Sequence, residues 1–203
     1  MKFAFFNRIT AVAALIAGAA IAAPVAAVQA QESAAAFFSA PYNKPGYYPS
    51  SGRVARSAIP RQTVNYSGRH RAGTIVISTR ERRLYLVQPG GKAIKYGIGV
   101  GRPGFQWGGV KHVSRKAEWP GWTPPPQMLR RRPDLPRHMK GGIGNPLGAR
   151  ALYLGSSLYR IHGSNEPDTI GQAVSSGCIR MTNKDVIDLY KRVRVGTRVV
   201  VMR

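Results

Sequence analysis

Ile161-His162-Gly163-Ser164, followed by Ser175-Ser176-Gly177-Cys178-Ile179-Arg180-Met181, sets the single cysteine of a 203-residue chain sixteen positions after a histidine. A thiol with no second cysteine has no disulfide to make. As a nucleophile it needs a base or a positive surrounding, because an ordinary pKa near ~8.5 keeps it protonated at neutral pH. His162 is the best-placed base: Leu158-Tyr159-Arg160-Ile161 reads as a short strand that delivers it at the strand end. By spacing alone, catalysis and a satisfied structural role for His162 stand level. His70, His112 and His138 lack this placement and read as polar surface residues.

Outward from this pair the chain reads as strands. Thr74-Ile75-Val76-Ile77-Ser78 and Arg83-Leu84-Tyr85-Leu86-Val87 are β-branched and aromatic runs on either side of the charged turn Thr79-Arg80-Glu81-Arg82, and predict a hairpin. Gln88-Pro89-Gly90-Gly91 is a second turn, after which Ala93 to Val100 alternates as a third strand. Ala151-Leu152-Tyr153-Leu154 precedes the histidine strand, and Thr197 to Val201 closes the chain as another. Past the cysteine, Thr182 or Asn183 can cap a helix over Lys184 to Val193, with Asp185 near its positive end and Val186, Ile187, Tyr190 and Val193 as its apolar stripe. Gly101 to Arg150 is crowded with Pro120, Pro124, Pro125, Pro126, Pro133, Pro136 and Pro146, which predicts loops around one short strand, Val110 to Arg115, with neither long helices nor central strands. Trp107, Trp119 and Trp122 fall in this irregular part and either pack on the core or line a groove.

The first thirty residues read as an address. Lys2 and Arg8 form a basic start, Ile9 to Ala23 is Ala-rich and apolar, and Val28-Gln29-Ala30 offers the small residues of a cleavage site. This favours a cleaved signal peptide (1–30) over the alternative of an uncleaved anchor, for which the apolar run approaches the ~20 residues that span a bilayer. With no cysteine nearby, lipid attachment is not expected. Residues 31–72 hold Pro41, Pro45, Pro49 and Pro60, many Ser and Gly, and scattered Arg, and read as a basic, disordered spacer. It is either a tether along an anionic wall or a poorly ordered mature N-terminus. The remaining residues, 73–203, are long enough for one catalytic domain with a buried core.

A formal charge of +23 points to a polyanionic neighbour. Removal of Lys2 and Arg8 with the signal leaves 29 basic residues against 8 acidic ones, so the imbalance belongs to the mature chain. Nucleic acid is not the expected partner, since no RNP, helix-turn-helix or zinc-finger pattern is present and the signal directs the chain outward. One cysteine and four scattered histidines, without an HExxH helix, also give no metal-site spacing.

The linked motifs around His162 and Cys178 resemble the signature of the L,D-transpeptidases of the YkuD type, in the Ser-Ser-Gly-Cys branch. The likeness runs from about Thr74 to Met202 and takes in Gly99-Val100-Gly101-Arg102-Pro103-Gly104 and Trp119-Pro120-Gly121-Trp122-Thr123-Pro124-Pro125. It implies a mainly β catalytic fold, sandwich or barrel-like, with a short helix after the cysteine. Residue by residue, it implies Cys178 as nucleophile, His162 as base, the Gly163 carbonyl as the group that fixes the imidazole tautomer, and the amides of Gly177 and Cys178 as the oxyanion hole. Ser176 stands where the stricter signature has a second histidine, which leaves proton transfer to His162. Arg180 replaces an asparagine, and either binds a substrate carboxylate or makes a structural salt bridge. Ser176, Ser164 and Trp122 join it as candidate substrate contacts.

The resemblance further implies an exported acyltransferase, working in the periplasm at the cell wall without a cofactor. Its thiolate would take the acyl group of a peptidoglycan tetrapeptide stem as a thioester and pass it to an amine, on another stem or on an envelope protein. Water as acceptor would make it a carboxypeptidase, and a non-catalytic basic wall-binding module is the rival reading. A monomer is expected.

Overall fold

Ile75–Ser78 (β2) is buried along its whole length, with Ile75 and Ile77 fully inaccessible. It lies between Arg83–Gln88 (β3), antiparallel on one side, and Arg198–Met202 (β11), parallel on the other. Successive side chains alternate between its two faces and all four are buried, so both faces are covered and it reads as an unbroken apolar run rather than an alternation. The structure, a computed structural model, describes residues 59–203; the segment read as an export signal, and the expected spacer up to residue 58, lie outside the described residues.

The predicted hairpin and third strand are present. Lys92–Gly97 (β4) follows β3 across a turn in which Gly90 and Gly91 both take positive φ, 70° and 65°, a conformation that suits glycine. Gln62–Asn65 (β1) adds to the outer edge of β4. Its polar composition reads as part of the spacer, which the strand corrects; its side chains are largely exposed, as an edge strand allows, so no apolar alternation announces it.

The larger correction concerns the proline-rich middle. Gly109–Glu118 (β6) is ten residues long and sits inside the sheet, between β11 and Arg150–Leu154 (β7). The prolines that argued against a central strand begin only at Pro120, just past its end. A register shift between Val113 and Arg115 divides it: its first half pairs with β11 and its second with β7. Such a bulge bends a strand and strengthens its twist, and here it curls one nine-stranded sheet around the core. Beyond β7 come Arg160–His162 (β8), antiparallel to β7, and Ile179–Arg180 (β10), parallel to β8. Paired amide and carbonyl bonds of 2.9 Å between Gly99 and Arg180 tie the β10 edge back to the chain after β4. Val100–Gly101 (β5) and Ala173–Ser175 (β9) form a separate parallel pair beside it.

The helix expected after the cysteine is Asn183–Arg192 (α2), capped by Thr182, whose Oγ1 accepts the Asp185 N–H at 3.1 Å. Its buried stripe is Val186 and Leu189, continued by Val193, rather than Ile187 and Tyr190, which are half-buried. Tyr96 from β4 explains the rotation: its buried hydroxyl donates to Asp188 at 2.7 Å, and Arg61 and Arg192 also reach that carboxylate. The helix thus turns Asp188 toward the domain and carries Leu189 into the core with Ile161 and Leu152. A shorter helix, Pro126–Arg131 (α1), starts on a proline, whose fixed φ suits a first turn.

Candidate active site

Ile161 of β8 pairs with Ile179 of β10, and both are buried in the core, at 0% and 1% exposure. Alternation along the strands then puts Arg160, His162 and Arg180 on the opposite face, together with Cys178, the residue just before β10. The apolar pair thus sets the register that brings the cysteine and histidine segments together. Gly177 turns the chain into β10 with φ +105°, and a Cβ there would stand 2.6 Å from Tyr159 Cε1 and 3.2 Å from the Phe105 carbonyl. No other residue fits this turn without displacing the Tyr159 ring.

His162 is buried, and its Nδ1 lies 2.5 Å from the Gly163 carbonyl oxygen. A carbonyl only accepts, so the proton sits on Nδ1 and Nε2 is left as the basic nitrogen. Burial disfavours the imidazolium, the positive Arg180 disfavours it further, and the pKa falls from 6.5 to about 3 although the Gly163 carbonyl pulls upward. The Gly163 backbone is itself clamped: its N–H donates to Arg150 O at 3.0 Å, and a Cβ at 163 would overlap Asn183 Oδ1.

Cys178 is half-buried, and Sγ has Leu158 O at 3.7 Å. Burial pushes its pKa above the ordinary thiol value, while Arg160 and then Arg180 oppose the rise. At rest the pair is therefore neutral on both sides, thiol and imidazole, rather than thiolate and imidazolium.

Ser175 and Trp107 hold the turn. Ser175 Oγ donates to Cys178 O at 2.6 Å and accepts the Gly177 N–H at 3.1 Å, and Trp107 Nε1 donates to Gly177 O at 2.7 Å. Trp107 stacks on Tyr159 with ring centroids 4.4 Å apart. The expectation that Gly177 offers its amide to an oxyanion is corrected by the Ser175 bond. Among the described residues the Cys178 N–H meets no acceptor, so it is the amide still available.

The candidate substrate contacts divide. Arg180 is in a salt bridge with Glu166 at 2.7 Å, the structural alternative for this residue. Ser164 is buried and its hydroxyl accepts the Glu166 N–H at 2.9 Å, which removes it from the reach of a ligand. Trp122 is likewise buried at 8% exposure and paired through its backbone with Met139; Trp119, at 45%, is the exposed member of the three. Ser176 is half-buried beside the thiol and accepts from Arg102 Nη1 at 3.2 Å. Sequence reasoning passed over Ser175, although a serine two residues before a glycine is a signal for a local side-chain turn. It also passed over Arg160, although alternation with His162 places both on one face. Among the described residues, no group of three or more His, Cys, Asp or Glu side chains could hold a metal.

A curled β domain that sets one thiol on the same sheet face as a buried, carbonyl-oriented imidazole has the layout of a cysteine–histidine catalytic domain. The chain belongs to the YkuD family, the L,D-transpeptidase catalytic domain, whose family model matches residues 72–201. It is 39% identical over 165 residues to "Probable L,D-transpeptidase ErfK/SrfK" of Escherichia coli (strain K12), covering 77% of this chain and 51% of that one. The chain spans about half the length of the curated relatives it matches. Among solved structures, an L,D-transpeptidase from Mycobacterium smegmatis shares the fold, with TM-score 0.52 at 18% identity over 64% of this chain and 58% of that one. A Brucella melitensis structure described as a probable carnitine operon oxidoreductase is 44% identical, with TM-score 0.50, covering 72% of this chain and 96% of that one. That description applies to the Brucella protein; the family membership of this chain rests on the family model and the named relatives.

Proposed function

We propose that the chain is an exported cysteine acyltransferase acting on peptidoglycan tetrapeptide stems, with Cys178 as nucleophile and His162 as base. What supports this reading is the register of β8 against β10, from which alternation sets Cys178 and His162 on one sheet face, together with the Gly163 carbonyl, which keeps the proton on Nδ1 and leaves Nε2 as the basic nitrogen. With both groups neutral at rest, His162 takes the proton as Sγ bonds to the scissile carbonyl carbon of the diaminopimelate residue. The Cys178 N–H faces the oxygen that gains charge. Collapse breaks the C–N bond, the proton passes from His162 to the departing D-alanine nitrogen, and a thioester remains. An acceptor amine then gives its proton to His162, attacks the thioester carbonyl and restores the thiol.

The acceptor is an amine of a second stem or of an envelope protein, and water in its place yields the carboxypeptidase outcome. The apolar leader at Ile9–Ala23 supports export to the periplasm, and a sequence pI of about 11.3 supports concentration on an anionic wall. Incubation of the mature protein with defined tetrapeptide muropeptides, with and without a protein acceptor, tests the reading by mass. Crosslinked or protein-linked products from the wild type, and none from Cys178→Ala, are expected. Equal products from both proteins contradict it.

A further inference from the structure

Two registered pairs, and a step one position before a third, align four residues across the sheet. Arg115 of β6 stands opposite Tyr153 of β7, Tyr153 opposite Arg160 of β8, and Arg160 beside Cys178, one position before the Ile161–Ile179 pair. Neighbouring strands are about 4.8 Å apart and registered residues point to one face, so the row Arg115, Tyr153, Arg160, Cys178 leads straight to the thiol. The Arg115 guanidinium lies 3.6 Å from the Tyr153 ring centroid and that of Arg160 lies 5.1 Å from it. The aromatic ring thus supports the cation from below without neutralising it.

Arg160 has no carboxylate partner among the described salt bridges, and its Nε is a buried N–H with no hydrogen-bond acceptor. A buried donor left unmatched is costly, and such sites are completed by a ligand or lie where chemistry occurs. Arg180, the other cation on this face, has Glu166 as its counter-ion. Of the two arginines on this sheet face, Arg160 is therefore the one without a carboxylate counter-ion.

We infer that Arg160 receives the terminal carboxylate of the acyl donor, so that the site selects a stem ending in a free D-amino acid. This rests on the acyl-transfer reading above. Among the carboxylates of a tetrapeptide stem, the terminal one is separated from the scissile carbonyl carbon by only the leaving nitrogen and its α-carbon. The diaminopimelate side-chain carboxylate and that of the glutamate lie several bonds further away. A guanidinium one strand from the nucleophile matches the nearest of the three, and its planar fork suits a carboxylate. Loss of the D-amino acid removes the negative charge, so the thioester enzyme keeps no ligand on Arg160 and the acceptor enters past an open cation.

The test uses two donors that differ only at the terminus, one ending in D-alanine and one in D-alaninamide. Acylation of Cys178 is followed as kcat/KM for wild type, Arg160→Gln and Arg160→Lys. Wild type is expected to favour the carboxylate donor. Arg160→Gln is expected to lose roughly 10- to 100-fold on that donor and about threefold or less on the amide. Arg160→Lys, which keeps the charge and loses the fork, is expected to retain part of the preference, and it stands in for the Gln variant if that variant does not fold. An equal loss on both donors assigns Arg160 to tuning the thiol and overturns the inference, as does no loss on either. Failure of the wild type to acylate with either donor overturns the acyl-transfer reading itself, and this inference with it.

Discussion

His162 Nδ1 and the carbonyl oxygen of Gly163 are 2.5 Å apart, so a neutral peptide oxygen orients the imidazole that stands on the face of Cys178. A carboxylate in that position would stabilise the imidazolium; a carbonyl does so weakly, and burial with Arg180 nearby keeps the ring neutral, with a pKa of about 3. The imidazole is therefore neutral at any pH above that value.

Acylation should accordingly stay near its neutral rate as the pH is lowered from 8 to about 5, with no titration near 6.5, the ordinary histidine value. The thiol, pushed up by burial, should alkylate with iodoacetamide slowly at pH 7 and speed up only above the ordinary thiol range. Stopped-flow acylation and a pH series of alkylation check the two halves. A loss of acylation centred at pH 6.5 contradicts the neutral-pair account.

The same shift makes a stability statement. Between about pH 6.5 and 3 the unfolded chain binds a proton at His162 that the folded chain refuses. Stability from this residue is thus present above 6.5 and lost as the pH falls through that window, by up to about 1.4 kcal/mol per pH unit. Urea melts of His162→Gln should show a shallower acid slope than the wild type, and identical slopes would sink this assignment.

Gly177→Ala forces a Cβ against the Tyr159 ring at φ +105°. It should cost about 1–3 kcal/mol in stability and abolish acylation, because the Cys178 amide moves with the turn. A variant with normal activity and melting behaviour would show that the turn accommodates a side chain.

Arg180→Gln and Glu166→Gln should behave alike, since the two side chains meet at 2.7 Å and are only 14% and 26% exposed. A double-mutant cycle should return coupling of about 1 kcal/mol, with donor KM nearly unchanged. A raised KM for the Arg180 variant alone would return Arg180 to substrate binding.

Legibility in the sequence followed the physics of each segment. β2, β3 and α2 were readable because apolar period or capping chemistry marked them, and the sequence marks His162 and Cys178 as the candidate pair because thiol chemistry needs a base. β6 was not, because most of its residues are exposed, with Val113 alone buried, and neighbouring prolines suggested loops, while its bulge at Val113–Arg115 obeys no sequence period. Ser164 and Trp122 looked available because polarity and aromaticity suggest binding; burial decided otherwise, and depends on long-range packing that spacing does not encode. Arg160 was hidden for the opposite reason: its neighbour Cys178 lies eighteen residues later, just before the strand β10 that pairs in parallel with β8.

The most direct measurement is the intact mass of the acyl-enzyme formed from a tetrapeptide donor by wild type, Cys178→Ala and His162→Gln. The account predicts one tripeptide-stem adduct on wild type, located at Cys178, none on Cys178→Ala, and formation slowed by roughly 10²-fold or more in His162→Gln. An adduct on Cys178→Ala, or acylation of His162→Gln at the wild-type rate, would contradict it.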